Sequence, residues 1–166
     1  MSLSYYQIAT QSTVRGLNNL DHLIDLAVIF CAEKKIEQSV LLNARLSPDM
    51  FPLSRQVQLV SDMTKSCAAR LAGLDVPSYK DDETTFEQLK ERIAKTIAFI
   101  QTIKEQDFNG CEDRKVTLNW YPDPMTSEVF LLQHSLPNIY FHITTAYNIL
   151  RHNGVAVGKR DYLGQI

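Results

Sequence analysis

Glycine is sparse and scattered, with six residues in 166 and none grouped into a phosphate loop or a dinucleotide-binding turn. Neither an H-E-x-x-H zinc motif nor a G-x-S-x-G nucleophile elbow can be written. Cysteine is limited to Cys31, Cys67 and Cys111, an odd number, far apart and without metal-ligand spacing. That usage suits a reducing cytoplasm and three buried small hydrophobes, not a disulfide framework or a catalytic thiol. Positive charge is not in excess: a formal net charge of -2 leaves no basic field for nucleic acid or an anionic membrane. The start, MSLSYYQIATQSTVRGL, lacks the basic segment and apolar core of a secretory leader. A soluble cytoplasmic protein is expected, with residues 1–166 forming one domain around one core.

A more local absence is the most informative. From Val129 to Leu150 the chain reads VFLLQHSLPNIYFHITTAYNIL and contains no Asp, Glu, Lys or Arg. The wet face of a surface helix normally carries charge, so this run is expected to be a central helix covered on most sides. It is about long enough to span a bilayer at roughly 20 residues, but Gln133, His134, Asn138, His142 and Asn148 would be costly in lipid. Helical spacing separates an apolar arc, Leu132, Leu136, Ile139, Ile143, Ala146, Tyr147 and Leu150, from a polar one, His134, Asn138, His142, Thr145 and His152. Leu131, Phe141 and Ile149 flank the polar arc and form a candidate dimer surface. Pro137 withholds a backbone donor inside this stripe, which predicts a kink or bulge.

The rest of the chain supplies three further helices. Ser4 can cap the first, which runs to about Lys35 with Leu17, Leu20, Ile24, Ala27 and Cys31 inward, and Gly16 permits a close crossing. His22 lies off that stripe and reads as solvated. The segment Leu41 to Gln56 has no sustained period but is rich in bulky apolar residues, so it is an ordered connection. Asn43, Arg45 and Asp49 are its polar groups; Arg45 and Asp49 either tie the loop together or face a ligand. A second helix begins near Pro52, runs to about Leu71 and stops at Gly73. Thr85 and Gln88 form a capping box for a third, with Phe86 to Ile103 inward and Glu87, Lys90, Glu91, Arg92 and Lys95 on a solvated face. Lys115 to Trp120 alternates and predicts a short strand, with Trp120 packed on the helices and a return strand at Met125. Ser127 can cap the last helix, and Asn153-Gly154 ends it. The expectation is an all-α four-helix bundle with a short β-hairpin inserted before its last helix.

Two imidazoles beside a proline raise the question of a metal. His134 and His142 cannot share one ion, since eight residues at about 1.5 Å each put them roughly 12 Å apart in a regular helix. Each forms an i+4 pair with Asn138, but histidine with asparagine is a poor transition-metal pair. A third ligand would have to come from His22, Asp49 or another helix.

The segments SLSYYQ, LLNARLSPDMFPLSRQVQ, ARLAG, LPNIYFHITTAYNILRHNG and GKRDYLG resemble a bacterial domain-of-unknown-function family, itself similar to the DinB/YfiT-like superfamily in which metal-dependent enzymes are expected. The resemblance spans nearly the whole chain and implies a four-helix bundle with a long connection, and a homodimer. DinB-like proteins typically carry one histidine on the second helix and an H-x-x-x-H pair on the last. Here the pair reads Asn138-x-x-x-His142, and the second helix has no histidine. The three-histidine site is therefore not intact, which leaves His142 as the one weak candidate ligand for divalent zinc or nickel. Two functions compete. The first is a small-molecule pocket formed by His134, Asn138 and His142 and closed by a loop bearing Arg45 and Asp49, with the guanidinium meeting an anionic group. The second is a divalent-metal hydrolase or thiol transferase of DinB type.

Overall fold

The computed structural model describes residues 4–165, so Ser2 and Leu3 of the SLSYYQ motif and the last residue, Ile166, lie outside the described residues. A π-helical turn, Gln7–Ser12, leads into α1 (Thr13–Lys34); α2 (Gln38–Leu42), α3 (Leu53–Ala72) and α4 (Phe86–Thr102) follow. Short 3-10 turns lead to β1 (Lys115–Val116) and β2 (Met125–Thr126), and a second π-helical turn, Val129–Ser135, leads into α5 (Leu136–His152). A last short helix is α6 (Lys159–Leu163). The strands are antiparallel, with Lys115 opposite Thr126 and Val116 opposite Met125. The architecture is the four-helix bundle with an inserted hairpin that the periodicities predict.

Local chemistry explains the boundaries. Ser4 Oγ accepts from Gln7 N while Gln7 Oε1 accepts from Ser4 N, closing the first helix N-terminus. Thr85 and Gln88 make the same reciprocal box at α4. Gly73 ends α3 in the left-handed region at φ 72°. At Gly16 a Cβ would sit 3.0 Å from Ile143 Cδ1, so the glycine lets α1 cross α5 closely. The cap of the last helix differs from expectation. Thr126 Oγ1 accepts from Val129 N, whereas Ser127 is buried and donates to Arg114 O across the hairpin.

The centre of the bundle is α3. It buries thirteen of its twenty residues, against seven of seventeen in α5. The charge-free run therefore does not mark a helix covered on most sides. Leu132, Tyr140 and Phe141 face outward with Gln133, Pro137, Thr144 and Asn148. Leu131 and Ile149, expected on a dimer stripe with Phe141, are instead inside the chain's own core. The π-helical turn rotates residues before Pro137 relative to those after it, so a single 3.6-residue wheel misplaces Leu131 and Leu132. Cys31, Cys67 and Cys111 are free and buried. No helix among the described residues is long and apolar enough to cross a membrane.

Candidate functional site: two histidines in unlike settings

Pro137 lacks an N–H, and the chain before it widens so that Leu136 N–H reaches back five residues to Leu131 O. Asn138 Nδ2 donates to His134 O at 2.5 Å, adding a side-chain donor where the helical ladder is disturbed. Asn138 is thus turned to the backbone of the π-helical turn and helps hold His134 in place.

His142 faces α3. Gln56 Nε2 donates to Phe51 O at 2.9 Å, which orients its amide and leaves Oε1 toward His142 Nδ1 at 2.7 Å. An amide oxygen only accepts, so the imidazole carries its proton on Nδ1 and presents a lone pair at Nε2. Burial, and secondarily the Arg55 charge, hold its pKa below the usual histidine value.

His134 has the opposite surroundings. Its ring stacks on Phe130 at 5.5 Å between centroids and 17° between planes, and Tyr121 meets it edge-on at 6.4 Å. Burial lowers its pKa too. Its Nδ1, however, is buried without a hydrogen-bond partner, a costly state unless something else supplies one. The ring lines a cavity of about 190 Å³ between α3, the π-helical turn and the hairpin, together with Lys65, Arg70, Leu118, Trp120 and Phe130. Trp120 does not pack onto the helix ends as its alternation predicts. It is 66% exposed, because only Lys115 and Val116 pair in the ladder and the chain turns away after Leu118. Ser135 also lines this cavity, and a hydrogen bond links it to Cys67. Burial pushes the Cys67 thiol up to about 12, so this sulfur stays protonated and is no nucleophile.

Behind the cavity lies a charge network centred on Arg92, a residue expected on the solvated face of α4. Arg92 is only 3% exposed. Its Nη1 donates to Lys80 O at 2.7 Å and to Glu83 at 2.8 Å, while Nη2 pairs with Asp62 at 2.8 Å and Asp81 at 3.0 Å. Lys65 pairs with Asp62 and Arg55 with Asp81. The Tyr79 ring is flanked by Lys65 Nζ at 4.5 Å and Lys95 Nζ at 4.2 Å. The signal was present in the spacing: Leu89, Arg92, Thr96 and Ile100 recur at helical steps, and Arg92 lies on that inner stripe.

Among the other predicted residues, Arg45 and Asp49 are exposed on the connection after α2. Ser47 Oγ donates to Asp49 and, as the largest cause, lowers its carboxyl pKa. Arg45 forms no ion pair among the described residues. Neither residue, nor Asn138 or His142, lines the Trp120 cavity. His22 pairs with Asp161 at 3.1 Å near the C-terminal helix.

A family model described as Domain of unknown function (DUF1993) matches residues 5–163. The chain belongs to the DUF1993 family. Among solved structures, a crystal structure of a DinB family member protein from Shewanella denitrificans is 41% identical, covers 97% of this chain and 92% of its own, and superposes with a TM-score of 0.93. No curated protein matches. The DUF1993 chain does not fit the metal that a DinB-like bundle implies. Among the described residues no three His, Cys, Asp or Glu side chains form a group that could hold a metal ion. On the second long helix Gln56 meets His142, and its oxygen is taken by the imidazole N–H. Asn138 is engaged with the backbone. Two amides beside one imidazole are a weak donor set for a transition metal.

Proposed function

We propose that this DUF1993 protein is a ligand-binding helical bundle that holds a small organic molecule in the cavity walled by Trp120, Phe130 and His134. The observation that carries this reading is the cavity itself, about 190 Å³ walled by the rings of Trp120, Phe130 and His134 beside the cations Lys65 and Arg70. Aromatic surfaces with a few convergent polar groups are what small-molecule pockets use for affinity and orientation. Asn138 supports the site by fixing the turn that bears His134, and the Gln56–His142 pair holds α5 against α3 as a buried polar tie. A metabolite screen by thermal shift, run on the wild type and on His134→Ala, tests it. Compounds that raise the Tm of the wild type and lose that effect in His134→Ala are expected. A screen in which no compound acts through His134 overturns the reading.

A second copy of the chain is the proposed partner, supported by the uncharged outward face of α5. Phe141 is 56% exposed and Leu132 47%, with no Asp, Glu, Lys or Arg between them. A self-complementary face of this kind suits a two-fold dimer. Light scattering at micromolar concentration is expected to give twice the chain mass, and Phe141→Glu to halve it. A wild-type monomer contradicts it.

A further inference from the structure

The charges around the Trp120 cavity specify what it takes. Three cations of the network, Arg55, Lys65 and Arg92, are matched by three carboxylates, Asp62, Asp81 and Glu83, and the ion pairs link all six. That set is internally neutral. Arg70, on the same cavity wall, is outside it. Its Nε donates to Ser66 Oγ at 3.0 Å and its Nη1 to Thr117 O at 3.2 Å, so neutral oxygens fix the side chain while its charge is left without a counter-ion. Among the described residues no Asp or Glu pairs with it.

Given the binding role proposed above, on which this step rests, we infer that the ligand is a monoanion with a flat apolar body, its carboxylate meeting Arg70 and its body lying against Trp120, Phe130 and His134. One negative charge neutralises the wall. A dianion would meet the Asp62 carboxylate, which also lines the cavity, and a cation would meet Lys65 and Arg70. A guanidinium already held by two hydrogen bonds loses little freedom on binding a carboxylate, and a charge-assisted pair is stronger than a neutral one.

The chain has a single tryptophan, so its fluorescence reports on Trp120 alone. Benzoate, benzamide and benzylammonium share one ring and differ in charge, and each is titrated against the full chain. Benzoate is expected to perturb Trp120 with an affinity at least about ten-fold above benzamide, with benzylammonium weakest. In Arg70→Gln the benzoate preference disappears, and Arg70→Lys restores part of it, while thermal melts confirm that both variants are folded. Equal binding of benzoate and benzamide overturns the anion assignment, and a benzoate preference that survives in Arg70→Gln overturns Arg70 as the carboxylate's partner; both leave the cavity reading standing. If none of the three perturbs Trp120, the cavity reading falls and the anion assignment falls with it.

Discussion

His134 and His142 stand eight residues apart on one charge-free stretch, yet they are placed in opposite ways. Around His142 the nitrogen turned into the bundle has an answer: Phe51 O orients Gln56, and Gln56 orients the imidazole through Nδ1. Around His134 the ring is held by stacking and by a distorted turn, and one nitrogen has no answer at all. Satisfied burial is what a protein builds to hold itself together, whereas the His134 ring is held by packing alone while it walls a cavity. The difference separates a histidine tied into the fold from the one we propose faces a ligand, although both have depressed pKa values.

The most damaging substitution removes the cation at the centre of the charge network behind the cavity. Arg92→Met removes a buried guanidinium and leaves Asp62, Asp81 and Glu83, which solvent partly screens, short of one cation; it is expected to cost about 2 kcal/mol, read from the midpoint of urea unfolding. A loss within a few tenths of a kcal/mol would show that the network is solvated after all. Next in size is the contrast between the two histidines themselves. His142→Ala strands the buried Gln56 oxygen and is expected to cost about 2 kcal/mol. His134→Ala removes a ring whose nitrogen had no partner and is expected to cost about 1 kcal/mol of packing while abolishing ligand binding. Equal destabilisation by both would erase the distinction.

The smallest effect is a pH dependence. Both imidazoles are held below the ordinary histidine value near 6.5, mainly by burial. As pH falls through that value the unfolded chain takes up protons that the folded chain refuses, so stability is full above it and declines toward acid. The decline levels off only below the depressed folded values, where both states are protonated. Thermal melts at about pH 7.5 and about pH 5.5 should show a lower Tm in acid, at most about 1.4 kcal/mol per pH unit for each imidazole and less for half-exposed His134. His142→Gln should remove the larger part of that slope; a flat wild-type profile would contradict the burial of both rings.

Much of the bundle was legible because apolar periodicity and capping chemistry act locally. The Thr85–Gln88 box, Gly73 and Gly16 each occupy the role their chemistry predicts. The site was legible only in part. His134, Asn138 and His142 share one polar stripe on a helical wheel, but a wheel with one fixed period cannot represent the π-helical turn that carries His134. The charge content of Val129 to Leu150 misled because an uncharged face can also be one left open. Arg92 is expected outside because a charged residue is usually solvated; its helical position points inward, and Asp62 on α3 with Asp81 and Glu83 on the loop before α4 supplies the counter-charges that let it stay there. Arg70 and Trp120 enter the site through tertiary contacts that no local pattern encodes.

The distinction between the two histidines is tested most directly by the ring-nitrogen signals of 15N-labelled protein, assigned with His134→Gln and His142→Gln. In the free protein His142 should appear neutral with its proton on Nδ1. On adding benzoate the His134 nitrogens should shift while those of His142 stay in place. A benzoate-dependent shift at His142 with His134 unmoved would contradict the account.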